Sequence, residues 1–290
     1  MASKKLKRWA KVAAQLVIAV LAIYYVFQDI DFEELKSTVL SAHIGWLFLA
    51  FLAFNASKIL SAFRLNYFFR ALRLDLKERF NLKLYYLGML YNQFLPGGIG
   101  GDGYKVYLLN KWYGNSIKML VSATLLDRVS GVVALGFLAF SLGLFGYAPE
   151  ALGDYSFLLW LGLIAAYPCY YLLVNLLFKT FKSVNHITNL QALGVQGLQV
   201  LSAFFILQAL GVETGYIDYL TLFLVTSVAA SLPASLPGGI GIRELVMVKG
   251  ASYLLINETN ATALATLFFL ISLLSALGGI SFLKLKKPKS

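Results

Sequence analysis

The hexapeptide Leu-Pro-Gly-Gly-Ile-Gly occurs twice, at residues 95–100 and 236–241, each time between apolar stretches and each time followed closely by charge. Proline removes a backbone donor and stops the helix before it, and the glycines turn the chain through conformations closed to other residues. A helix broken inside a bilayer frees backbone groups that hydrocarbon cannot satisfy. Such breaks survive only where protein or a polar cavity covers them. Two of them in corresponding parts of two halves form the pattern of a transporter whose binding site lies between repeats.

Of the 290 residues, 59% are hydrophobic and 13% charged, the mean hydropathy is +0.72, and several apolar runs reach the bilayer-spanning length, which is about 20 residues. The chain therefore reads as an all-α polytopic membrane protein, one integral membrane domain over residues 1–290. Trp9 to Phe27 is too long for a signal-peptide core and lacks a small-x-small cleavage site, so it reads as a retained span. The net charge of +11 gathers at the ends of apolar segments, not in stripes interleaved with aromatics, which argues against a nucleic-acid partner. The single cysteine, Cys169, allows no intrachain disulfide, and His43 and His186 are isolated. No metal or cofactor is expected.

Basic residues mark cytoplasmic loops. Lys4, Lys5, Lys7, Arg8 and Lys11 place the N-terminus inside, and the acidic stretch Gln28 to Ala42 lies outside. A span at about 44–68 returns to a loop with Arg70, Arg73, Lys77, Arg79 and Lys83. The short apolar stretches Leu84 to Leu95 and Tyr104 to Leu109 flank the first break, with basic residues on both sides, and read as a hairpin that enters and leaves from the cytoplasm. Further spans at about 119–146, 157–178 and 190–210 alternate between acidic and basic loops. The second broken segment, Tyr219 to Ile256, has acidic flanks and dips from outside, and a last span at about 261–283 ends at Lys284, Lys286, Lys287 and Lys289.

The expected architecture is thus about six full spans plus two re-entrant broken-helix hairpins. Residues 44–146 and 190–283 form an inverted-topology repeat, with both termini on the cytoplasmic face of the cell's inner membrane. A competing count of eight or more crossings needs each hairpin arm, with about 12 apolar residues, to do the work of about 20.

A helix that restarts after such a break offers free amide groups and a positive dipole end to a phosphate or carboxylate. Gly97, Gly98, Gly100 and Gly101, with Asp102 and Lys105, form one candidate cradle; Gly238, Gly239 and Gly241, with Arg243 and Glu244, form the other. Ionisable groups within spans usually face a cavity, a partner or the interface, which adds Lys58, Arg64, Asp127 and Arg128, although Arg64 and Arg128 equally suit snorkelling to the cytoplasmic headgroups. Asp127 needs a cation, for which Arg64 and Lys58 are the candidates. Asn92 and Gln93, just before the first break, either satisfy its freed backbone or line the substrate path, and Asn55 is a further polar group at membrane depth.

Leu95-Pro-Gly-Gly-Ile-Gly-Gly-Asp-Gly-Tyr-Lys105, Leu126-Asp-Arg128, Leu236-Pro-Gly-Gly-Ile-Gly-Ile-Arg-Glu244 and Ala62-Phe-Arg64 together resemble the flippase-like membrane region of lysylphosphatidylglycerol synthases. The resemblance implies a protein that moves lipids between leaflets, either an anionic or aminoacylated phospholipid or a polyprenyl-linked glycolipid, by alternating access. It implies site roles for the motif residues named above. Lys105 departs from the arginine expected there, keeping the charge but losing the bidentate fork. With Ser290 about seven residues past the last span, synthase activity is not carried over, and the expected protein is not an enzyme.

Two other classes compete. Asp29-Ile30-Asp31 could hold a divalent cation in a polyprenyl-phosphate-dependent glycosyltransferase, although Phe32-Glu33-Glu34 suits a plain helix start. A small-anion transporter, or a partner subunit of a lipid-modifying enzyme, also fits the charges. No Walker-type loop is present, so direct ATP use is not expected.

Overall fold

A computed structural model describes residues 32–94, 99–231 and 242–288, apart from the side chains of Phe32, Phe94, Ile242 and Glu244. The expected first span, the Asp29-Ile30-Asp31 motif, Gly97, Gly98, Gly238, Gly239, Gly241 and the Glu244 side chain lie outside these described residues.

The helices follow in order: α1 (Phe32–Ser41), α2 (Ile44–Ala71), α3 (Glu78–Phe94), α4 (Gly100–Tyr113), α5 (Ile117–Gly143), α6 (Ala148–Leu152), α7 (Phe157–Leu177), α8 (Asn185–Ala209), α9 (Tyr216–Ser231), α10 (Ile242–Tyr253) and α11 (Glu258–Leu277). A 3-10 turn, Lys179–Val184, leads into α8, and another, Gly278–Phe282, extends α11. Five segments among the described residues are long and apolar enough to cross a membrane: α2, α5, α7, α8 with its leading turn, and α11 with its trailing turn. They coincide with five of the six expected spans. The fold is all-α and polytopic.

Two boundaries differ from the sequence reading. The acidic stretch before the second span contains α1, whose Leu35 is buried against Val248 and Ala263 while Glu33 and Glu34 stay exposed. The arms of the first hairpin are 17 and 14 residues long, because polar residues join them: Asn81 is fully buried and its Nδ2 donates to the Ala62 carbonyl at 2.5 Å. A count of apolar residues alone misses such a turn.

The bundle has one basic and one acidic end. Lys77, Arg79 and Lys83 gather with Lys284 and Lys286, and nearby Lys287 Nζ donates to the Trp112 carbonyl at 2.6 Å. At the other end Glu213, Asp218 and Asn257 line one recess, and Asp218 accepts the Tyr147 N–H at 2.6 Å. The α3–α4 hairpin therefore begins and ends at the basic end, and the α9–α10 hairpin begins and ends at the acidic end.

The most extensive helix contact is between α2 and α8, which run antiparallel, as the bond from His43 N–H to the Ala209 carbonyl at 2.9 Å requires. Around this pair, α9 packs on α5, while α3 packs on α11 and its 3-10 turn. Each hairpin's first arm thus leans on the long helix that closes the other half of the chain. One apolar cluster, including Phe54, Phe223 and Phe268, supports the second hairpin, and another, including Phe68, Phe69 and Leu109, supports the first. By contrast α7 leaves Leu158, Trp160, Leu161, Ile164, Leu172 and Leu176 exposed. An apolar face of that extent suits contact with lipid.

Candidate functional site

Between α2, α3, α4, α5 and α8 a cavity of about 210 Å³ opens inside the bundle. Helical periodicity explains which residues reach it. Residues three or four apart share a helix face, and the lining groups recur at that spacing: Lys58, Ser61 and Arg64 on α2, Tyr85, Met89 and Asn92 on α3, Asp102 and Lys105 on α4, Gln196 and Gln199 on α8. Asp127, Arg128 and Gly131 enter from α5, and Ser231 from the end of α9. Seven of the sequence candidates thus converge on one space: Lys58, Arg64, Asn92, Asp102, Lys105, Asp127 and Arg128.

Four basic side chains face two carboxylates, leaving a surplus of two positive charges on the lining. Arg64, only 5% exposed, donates from Nε to Asp127 Oδ1 at 2.8 Å and from Nη2 to the Asp127 backbone carbonyl at 3.0 Å. This settles Asp127's partner as Arg64. Asp102 is shared: Lys105 Nζ lies 2.8 Å from Oδ1, and Arg128 Nε contacts Oδ2. The second pair joins α4 to α5 across the cavity. Asp102 also sits in the first turn of α4, where a negative charge complements the helix dipole.

Lys58 is held differently. Its ammonium lies 4.4 Å from the centre of the Phe54 ring, and it is repelled by Arg64 and Arg243 and attracted by Asp127. Arg243, from α10, stacks its guanidinium 5.7 Å from the Phe268 ring centre. A cation from the second hairpin thus acts on the same charge cluster as the first.

Not every buried polar atom is used. Among the described residues the donor Arg64 Nη1 has no hydrogen-bond partner, and neither has the acceptor Gln196 Oε1, although Gln196 Nε2 donates to the Gly131 carbonyl at 3.2 Å. Gly131 borders this corner: a Cβ there would sit in ordinary contact, 3.5 Å from Gln196 Nε2 and 3.7 Å from both Arg64 Nη atoms. A buried guanidinium with a spare donor, facing a cavity of net positive charge, is suited to an anion.

The glycines that open α4 do something else. Gly101 N–H donates to Asn92 Oδ1 at 2.8 Å, so Asn92 caps the restarted helix while also lining the cavity. A Cβ on Gly101 would come within 1.9 Å of the Gly88 carbonyl oxygen, so Gly101 lets the two arms touch backbone to backbone. Neither Gly100 nor Gly101 is among the lining residues. Asn55 has a structural place as well: Nδ2 donates to Ser275 Oγ at 3.0 Å and Oδ1 accepts from Tyr86 OH at 2.9 Å, tying α2 to α11 and α3.

Sequence reasoning missed Ser61, Tyr85, Gln196, Gln199 and Ser231. The glutamines carried a usable signal: amides three residues apart within an apolar span, on one helix face. Tyr85 and Ser231 carried none, because aromatic and hydroxyl residues are common in spans.

No curated protein matches the chain. A family profile described as the lysylphosphatidylglycerol synthase TM region matches residues 12–279, which covers every described helix and nearly the whole chain. The chain belongs to the family of lysylphosphatidylglycerol synthase membrane regions.

Proposed function

We propose that the protein is a lipid transporter that takes the phosphate-bearing headgroup of an anionic or aminoacylated phospholipid, or of a polyprenyl-linked glycolipid, into the central cavity. The single observation that carries this reading is the convergence of Lys58, Arg64, Lys105 and Arg128 on one cavity with a surplus of positive charge. A volume of about 210 Å³ suits a headgroup, so the tails stay in the bilayer beside the hairpins. Arg64 Nη1 is the donor poised for a phosphate oxygen, and Lys58 supplies a charge that forms no ion pair with a carboxylate among the described residues.

The reading includes two halves, residues 44–146 and 190–283, acting as inverted repeats, with the basic end on the cytoplasmic side of the cell membrane. Its support is the exchanged packing, α9 on α5 and α3 on α11, and the opposite ends from which the hairpins enter. Rocking one half against the other opens each hairpin to its own side. The protein then moves lipid without chemically altering it.

The test is a leaflet assay in proteoliposomes with fluorescent phosphatidylglycerol. Transport at a rate well above empty vesicles is expected. If phosphatidylglycerol, lysylphosphatidylglycerol and a polyprenyl-phosphate sugar all keep their distribution while a known scramblase equilibrates them, the reading fails. Phosphate uptake in the same vesicles would assign a soluble anion instead.

A further inference from the structure

We infer that the basic end carries a second site, separate from the central cavity, that docks one anionic phospholipid with its phosphodiester among Lys77, Arg79, Lys83, Lys284 and Lys286. These five cations line a recess of about 530 Å³ between the start of α3 and the chain beyond the closing 3-10 turn. No acidic residue lines it. The two carboxylates nearest in sequence, Asp75 and Glu78, are taken by Arg70 at 3.2 and 2.6 Å, and no ion pair among the described residues involves any of the five cations.

The recess does not stop at the charges. It shares Arg79, Lys83 and Phe282 with an almost wholly apolar groove of about 390 Å³ that Leu82, Tyr86 and Gly278 complete. Cations above an adjoining hydrocarbon groove match the two parts of a phospholipid, whereas a soluble anion has no use for the groove. Basic pockets between transmembrane helices on the side where Lys and Arg collect are the places where anionic headgroups bind. Lys83, whose ammonium lies 5.9 Å from the Phe282 ring centre, stands at the junction of the two parts.

The seam beneath is closely packed. A Cβ on Gly279 would come within 2.4 Å of the Tyr86 carbonyl oxygen, so α3 and the closing turn abut at backbone distance. A lipid bound across this seam bridges the first hairpin and the last span, and so holds the hairpin's outer end to the opposite half. The inference shares no lining residue with the central cavity and stands whether or not that cavity carries lipid.

The experiment is photocrosslinking of the full-length protein in phosphatidylcholine nanodiscs doped with a phosphatidylglycerol analogue that carries a diazirine on one acyl chain. Labelled peptides are mapped by mass spectrometry. Labelling is expected within residues 82–86 or 278–282, and to fall about tenfold in the Lys83→Gln, Lys284→Gln double variant, in keeping with the pull of each basic residue on an anionic lipid. Lys111→Gln with Lys118→Gln, which removes equal charge outside the recess, is expected to leave it unchanged. Gly278→Leu keeps every charge and fills the groove, and it too should lower labelling. Labelling elsewhere only, equal labelling by a phosphatidylcholine analogue, equal loss in both double variants, or displacement by millimolar inorganic phosphate would each overturn the site.

Discussion

Both broken hairpins rest on apolar clusters, but only the first is seen to add a charge latch among the described residues. The first is latched by charge: Asp102 at the head of α4 binds Lys105 within the helix and Arg128 across the cavity. Its arms also touch backbone to backbone at Gly88 and Gly101. The second is embedded in hydrocarbon: Tyr219, Leu222, Phe223 and Leu224 of α9 and Met247 and Ala251 of α10 all belong to one buried apolar cluster. Its arms meet through a side chain, because a Cβ on Gly250 would strike Leu222 Cδ1 at 2.2 Å. An ion pair can exchange partners with an incoming anion, and an apolar contact cannot. On the proposed transport reading, headgroup binding therefore acts first on the latch of the first hairpin, and the second follows as the two halves rock.

The largest effect should come from the charge cluster. Asp127→Ala leaves Arg64 buried without its counter-ion and should cost about 3–5 kcal/mol, read as a large drop in thermal unfolding temperature in detergent. Arg64→Met combined with Asp127→Leu removes the pair together, and stability should largely return, since buried ion pairs are often replaceable by apolar groups. A double variant as unstable as Asp127→Ala would show that the pair is needed for the fold itself.

Next in size is the contrast between the glycines. Gly101→Ala forces a Cβ against fixed backbone and should cost about 1–3 kcal/mol by overpacking. Gly250→Ala meets only the end of a leucine side chain, which can turn aside, so its cost should be clearly smaller. Equal unfolding temperatures for the two would break the distinction between backbone and side-chain contact.

Arg128→Gln should matter less for stability, because its side chain is 35% exposed, and pairs of that exposure contribute about 1 kcal/mol or less. Its effect should instead appear in lipid transport, through an unlatched first hairpin. Smallest of all is Arg70→Ala, which loses contacts to Asp75 and Glu78 at the exposed basic end and should leave both unfolding temperature and transport close to those of the native protein.

Much of this was legible in the chain. Length and hydropathy located α2, α5, α7, α8 and α11 because a membrane demands continuous apolar helices, and the doubled glycine motif marked the hairpins because only a helix break needs Pro-Gly-Gly. Intramembrane charge picked out Lys58, Arg64, Asp127 and Arg128, since such groups face a cavity, a partner or the interface, and the structure places all four on the cavity. What could not be read was which charges meet. Arg64 and Asp127 are 63 residues apart, and their pairing depends on how α2 lies against α5. The glycine role also differed in kind: Gly101 serves a backbone contact with Gly88, which no spacing rule anticipates, because it depends on how closely the two arms approach. Phe32-Glu33-Glu34 suited the start of α1 but did not show where it packs, because Leu35 finds its buried partners on α10 and α11.

On the proposed reading the α2–α5 charge cluster carries the lipid headgroup and does more than hold the fold. The most direct measurement is the leaflet assay on the Arg64→Met, Asp127→Leu double variant, reconstituted at the same density as the native protein and shown to be folded. A stable protein whose lipid transport falls to the rate of empty vesicles is expected. Transport at the native rate from that variant would contradict the reading.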